Sequence, residues 1–138
     1  MIGLDTNILA RYYIDDDADA EAKKQRAVAQ RLIDSGAPLA VCKTVLLELE
    51  WVMRGYYAFD RAEIALVYRH LLSLAKVEIE DRSAVERALA HYIAGLDFAD
   101  ALHQVSYPEC ESVATFDDRK FARRAGRLGL KPPVRVAK

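Results

Sequence analysis

Met1-Ile2-Gly3-Leu4-Asp5-Thr6-Asn7-Ile8-Leu9 is the stretch on which the fold turns. An uncharged run of four residues reads as a short strand, and a carboxylate closes it. Asp-Thr-Asn is good helix-capping sequence, so a helix opens at Thr6 or Asn7 and runs through Tyr13. A strand leading directly into a helix is the opening of an α/β unit.

The same alternation continues outward from it. A second helix is expected over about Ala18 to Ser35, stopped by Gly36, and Leu39 to Cys42 reads as the second strand. Thr44 is the expected cap of a helix reaching Arg54, with Gly55 behind it. Asp60 and Ser83 each precede a Glu by three residues, Glu63 and Glu86. These capping-box patterns open helices over Arg61 to Leu74 and Ala84 to Ala94, with a short strand, Val77 to Ile79, between them. A helix from Phe98 to Tyr107 stops before Pro108, and Ser112 to Phe116 follows as a strand. Arg119 to Leu128 forms the last clear helix, closed by Gly129, and Val134 to Val136 is an edge-strand candidate. The expectation is an α/β sandwich with a mainly parallel sheet, in one domain over residues 1–138, with no repeat or linker.

Bulk composition excludes several classes. The chain is 52% hydrophobic and 30% charged, as in a globular protein. No apolar run approaches the ~20 residues that span a membrane. The four residues before Asp5 are too few for a signal-peptide core, so a cytoplasmic location is expected. Cys42 and Cys110 lack zinc-ligand spacing and read as buried thiols. His70, His91 and His103 form no His-x-x-x-His pattern. The net charge of −1 hides an asymmetry: residues 119–138 carry eight Lys/Arg and no acid, leaving a balance of −9 for residues 1–118. A basic strip of this kind suits phosphates, and it equally suits a solvated helix.

Five carboxylates stand at segment ends: Asp5, Glu48, Asp97, Asp100 and Asp117. Strands ending near Asp5 and Asp117 would place both at the carboxyl rim of a parallel sheet, where ligands bind in open α/β folds. No Lys or Arg neighbours Asp5, Glu48 or Asp97 in sequence. Carboxylates in apolar settings are costly unless a positive group accompanies them, and a hard divalent cation such as Mg²⁺ answers that need. Each acid also has a plainer role open to it. Asp5 and Asp97 are good helix caps, and Asp100 suits a solvated helix face. Glu48 competes with Glu50, and helical periodicity does not choose between them. Charge does: Glu50 has Arg54 four residues on, a solvent-facing pair, whereas Glu48 has no cation at i±3 or i±4. Of the adjacent Asp117 and Asp118, one caps the basic helix.

Two other clusters are weaker. Asp15, Asp16, Asp17 and Asp19 resemble a calcium loop, but Ala20 replaces the turn glycine and Arg26 the bidentate Glu. These acids fit the start of the second helix. Tyr56-Tyr57-Ala58-Phe59 fits a base-stacking patch or, with more weight, a hydrophobic turn or protein contact.

Taken together, Met1 to Leu9, Leu47-Glu48-Leu49-Glu50-Trp51-Val52-Met53, Asp97-Phe98-Ala99-Asp100-Ala101-Leu102-His103 and Thr115-Phe116-Asp117 resemble the PIN-domain ribonucleases. Among these the likeness is to VapC-type toxins of bacterial toxin–antitoxin pairs. The resemblance implies a three-layer α/β/α sandwich and a Mg²⁺- or Mn²⁺-dependent endoribonuclease. It also implies a homodimer restrained by a cognate antitoxin. On that pattern Asp5 and Asp100 hold the metal, with Glu48, Asp97 and Asp117 completing the set. Asn7 and Thr115 match positions that orient ligands or water. Arg119, Lys120, Arg123 and Arg124 would hold RNA phosphates. The family often has a large apolar residue three positions after its last acid. Phe121 is three after Asp118 but four after Asp117, while the Thr-x-Asp spacing favours Asp117 and leaves Asp118 as the cap.

Two further readings compete: a non-catalytic RNA- or protein-binding module of the same fold, and a metal-dependent DNA nuclease. An aspartyl-phosphate phosphatase would usually need a second Asp two residues after the first, where this chain has Asn7.

Overall fold

The parallel pairing expected from the opening strand–helix sequence is present in the computed structural model, which describes residues 1–138. Seven α-helices alternate with five short strands, and each strand pairing is parallel. The chain is α/β, as the alternation required. It divides into two compact units, Met1–Glu80 and Asp81–Lys138.

In the first unit, β1 (Ile2–Gly3), β2 (Leu39–Val41) and β3 (Val77–Ile79) pair in sequence order, with Ile2 opposite Leu39 and Leu39 opposite Val77. The pairs of helices α1 (Thr6–Tyr13) with α2 (Ala20–Asp34), and α3 (Lys43–Trp51) with α4 (Arg61–Ser73), form the crossovers between them. Such long connections are what parallel neighbours demand. Leu9, Leu39, Val41, Leu46, Leu49, Met53 and Ile64 are fully buried, and Tyr68 donates its hydroxyl to the Leu46 carbonyl at 2.6 Å.

The second unit holds α5 (Arg82–Ile93), α6 (Phe98–Val105), α7 (Arg123–Leu128) and the two-stranded sheet of β4 (Val113–Thr115) and β5 (Val134–Val136). Tyr92 meets Phe98 edge to face at 5.6 Å between ring centroids. Buried Gln104 satisfies its amide by donating to the Pro132 carbonyl at 3.0 Å. Val134–Val136 is thus a strand, bound in register to β4.

Several local expectations change. Cys42, not Thr44, stands at the N-cap of α3, because the chain leaves β2 at Val41 and turns helical at once. Gly55 does not end a helix. It lies inside a π-helical turn, Val52–Tyr56, closed by Tyr57 N–H donating to the Val52 carbonyl at 3.3 Å. Ser83 falls inside α5, whose cap position is Asp81 in the left-handed region at φ 49°. The capping box at Asp60 and Glu63 forms in full, with both reciprocal bonds present. The basic helix splits into a π-turn, Asp118–Ala122, followed by α7. Cys42 and Cys110 are both exposed, contrary to the buried thiols expected, since each sits in a connecting segment rather than on a packed face.

Candidate active site

Each unit presents carboxylates where the sequence put them, just past the end of a parallel strand. β1 ends at Gly3, two residues before Asp5, and β4 ends at Thr115, two residues before Asp117. Both are therefore at carboxyl ends of strands, the side on which α/β sheets bind ligands.

In the first unit, Asp5 is the N-cap of α1, and its Oδ1 accepts from the Thr6 N–H at 2.8 Å. The cap reading of Asp5 is thus correct, and it leaves Oδ2 uncommitted. Asp5, Asn7 and Glu48 line one groove of about 360 Å³, together with Arg11, Trp51 and Tyr56. Thr6, beside Asp5, keeps a buried hydroxyl with no hydrogen-bond partner. Glu48 is exposed into this groove, whereas Glu50 is 6% exposed and holds Arg54 Nε at 2.9 and 3.3 Å through its two oxygens. The i,i+4 pair predicted for Glu50 is there, but it is not solvent-facing on the carboxylate side: the α3 backbone turns Glu50 inward beside Leu46 and Leu49. The calcium-loop acids are spent as expected: Asp19 caps α2, and Asp15 meets Arg26 at 3.2 Å. Tyr57 is tied down, donating to Asp16 at 3.2 Å, while Tyr56 is 77% exposed.

In the second unit, Asp97 occupies the N-cap position of α6 without using its side chain as a cap. It faces Arg124 instead, at 3.6 Å, and Arg124 also donates to the Gly95 carbonyl at 3.4 Å. Sequence proximity missed this partner because it lies 27 positions away. Asp100 is half-buried, in the first turn of α6. Burial raises its pKa first, and the negative charges of Asp97 and Asp117 raise it further, against the smaller opposing effects of His103 and Arg124. Three carboxylates close enough to feel one another, one of them short of water, are held at an electrostatic cost.

Asp117 changes role in part. Its Oδ1 accepts from the Lys120 N–H at 2.9 Å, so Asp117, not Asp118, is the cap of the basic segment. Thr115 locks the turn by accepting the Asp117 N–H on Oγ1 at 3.0 Å. The π-turn closes through Ala122 N–H to the Asp117 carbonyl at 3.0 Å. That wider turn supplies the extra residue between Asp117 and Phe121, so the Thr-x-Asp spacing coexists with a buried Phe121. Arg119, Lys120 and Arg123 are exposed, while Arg124 is half-buried on Asp97. Trp51 and Tyr56, exposed at 62% and 77%, line the groove of Asp5 and Glu48, and Phe116, 88% exposed, stands next to Asp117 in the second unit. Of the three, Phe116 alone carried no sequence signal beyond its adjacency to a candidate acid.

A divalent cation suits the donors of each unit by chemistry. In each unit the donors are oxygens: in the first, Asp5 keeps one carboxylate oxygen outside the hydrogen bonds described, and in the second Asp117 does the same beside the mutually repulsive charges around Asp100. No group of three His, Cys, Asp or Glu forms a ready-made metal cluster. Mg²⁺ needs no closed protein cage, because it keeps several of its waters.

The match to the PIN domain family spans residues 2–127, and the chain belongs to that family. PIN domains are in general nucleases that depend on divalent metal ions. A comparison with curated proteins gave no match.

Proposed function

We propose that this protein is a Mg²⁺- or Mn²⁺-dependent endoribonuclease, and that it acts as the toxin of a toxin–antitoxin pair. The observation that carries the nuclease reading is the half-buried Asp100, crowded by the like charges of Asp97 and Asp117. Such crowding is relieved by a cation, and the family generally employs one. A bound divalent cation supplies Lewis acidity, acidifying water and offsetting charge that builds on a phosphate.

The chain's own residues do the rest. Asp5 and Asp100 hold the cation, and Glu48, Asp97 and Asp117 complete the acidic set, directly or through water. Asn7 and Thr115 orient: Thr115 does so by fixing the Asp117 backbone. Arg124 sets the position of Asp97. Exposed Arg119, Lys120 and Arg123 hold flanking phosphates, so binding weakens with salt. Arg124, first assigned to that strip, is committed to Asp97 and serves the acids instead. In this reading both units act as one nuclease domain.

The toxin role rests on the sequence likeness of the four motifs to VapC-type toxins, and with it come a homodimer and a cognate antitoxin. Expression of the chain should arrest bacterial growth, and Asp5→Asn should relieve the arrest. A small protein encoded beside it should bind the chain and restore growth. Unimpeded growth with active protein present, and no binding neighbour, would remove the toxin reading while leaving the nuclease reading intact.

A further inference from the structure

Phe116 stands apart from the other phenylalanines. Phe98 and Phe121 are 1% and 5% exposed and Phe59 is partly buried, whereas Phe116 is 88% exposed. A single exposed apolar residue is ordinary. This one is placed on a turn with little freedom and directly beside a candidate acid. On its N-terminal side, Thr115 is the last residue of β4, and its carbonyl accepts from Ala137 N–H at 2.9 Å. On its C-terminal side, Asp117 is fixed three times. Its N–H donates to Thr115, its carboxylate accepts from Lys120, and its carbonyl accepts from Ala122. The ring is therefore presented to solvent from a turn pinned on both sides.

The surroundings select an occupant by charge. Arg119, Lys120 and Arg123 follow within seven residues, all exposed. Arg123 also lines a groove of about 560 Å³ with Arg135 and Lys138, against the single acid Asp118. An exposed aromatic face beside a cationic track is the combination by which proteins hold single-stranded nucleic acid: bases stack, phosphates pair. A purely apolar protein contact has no need of the cations.

We propose that Phe116 is a stacking platform for one unpaired base of the RNA, with Arg119, Lys120 and Arg123 holding the adjoining phosphates. The inference rests on the ribonuclease reading and deepens it: the substrate is RNA with an unpaired base beside the scissile region, and Phe116 positions it. Stacking tolerates any base, so Phe116 selects for strandedness before sequence.

The test uses the full chain carrying Asp5→Asn, in Mg²⁺, with an unstructured RNA oligonucleotide containing one 2-aminopurine. Stacking quenches this fluorophore. Binding should quench it, Phe116→Leu should weaken binding roughly tenfold and abolish the quench, and Phe116→Trp should restore both. The same oligonucleotide annealed to its complement should bind without dependence on residue 116. Equal affinity and equal quenching with Phe116→Leu would overturn the proposal, whatever the cleavage result. Cleavage by the chain with the natural Asp5, measured in parallel, reports the nuclease reading separately. Quenching without cleavage keeps the stacking site and removes the nuclease. Cleavage with a Phe116→Leu variant that still quenches does the reverse. Failure to bind the oligonucleotide at all overturns the stacking proposal.

Discussion

Glu48 and Glu50 show how much hangs on one turn of helix. Both are acids in the same apolar segment, and the structure sends Glu50 inward onto Arg54 and Glu48 out into the groove with Asp5. Glu48→Gln should lower RNA cleavage by tenfold or more, since one positioning contact in catalysis is worth about 2.7–4 kcal/mol. It should leave denaturant stability unchanged. Glu50→Ala should do the opposite, costing about 1 kcal/mol through the loss of a charged hydrogen bond whose Arg54 partner is itself exposed to solvent. Kinetics and urea titration on both variants check the split. At Asp117 the same separation is possible by choice of substitution. Asn caps a helix about as well as Asp, so Asp117→Asn should hold its stability and lose Mn²⁺ affinity. Asp117→Ala should lose both, with about 1 kcal/mol of stability going with the cap. Asp118→Ala should lose little of either. Mn²⁺ binding and thermal melting of the three variants decide it.

Elements were read well where local chemistry closes on itself. The Asp60–Glu63 capping box forms because both of its bonds are made within four residues, and no distant group has to agree. Asp60→Ala should therefore cost about 0.5–2 kcal/mol, visible as a lowered Tm, without touching cleavage. Starts were misread where the strand hands over abruptly. Thr44 and Ser83 are better capping residues by type than Cys42, and Asp81 takes its cap position in a left-handed conformation that sequence does not announce. The π-turns at Val52–Tyr56 and Asp118–Ala122 were not expected: each spans a single turn, too short to set a periodicity of its own, and the four-residue spacing from Asp117 to Phe121 was the one trace of the second. The second of them gives Asp117 the capping role expected of Asp118. The placement of Asp5 and Asp117 just past strands was legible, because a carboxylate after an apolar strand is conspicuous. The surroundings of Asp97 and Glu50 were not, because Arg124 reaches Asp97, and Glu50 turns inward, through tertiary placement alone.

At the scale of the whole chain, the proposed function makes the division of charge the determinant of RNA affinity. Residues 119–138 carry eight cations and no acid, against −9 elsewhere. The logarithm of the affinity for single-stranded RNA should fall linearly with the logarithm of salt concentration, with a slope of about −0.7 per phosphate neutralised. Arg119→Ala, Lys120→Ala and Arg123→Ala should each flatten that slope by about 0.7. Arg124→Ala should leave the slope and instead disturb the acids, because its guanidinium lies on Asp97. Equal slope changes for all four would return Arg124 to the phosphate strip.

Cleavage itself is the most direct measurement. The purified chain, stripped with chelator, is given RNA with and without restored Mg²⁺ or Mn²⁺, beside Asp5→Asn and Asp100→Asn. The prediction is cleavage only when metal is restored, and loss of cleavage in each variant with the fold retained by circular dichroism. Undiminished cleavage in chelator, or by either folded variant, would contradict the account.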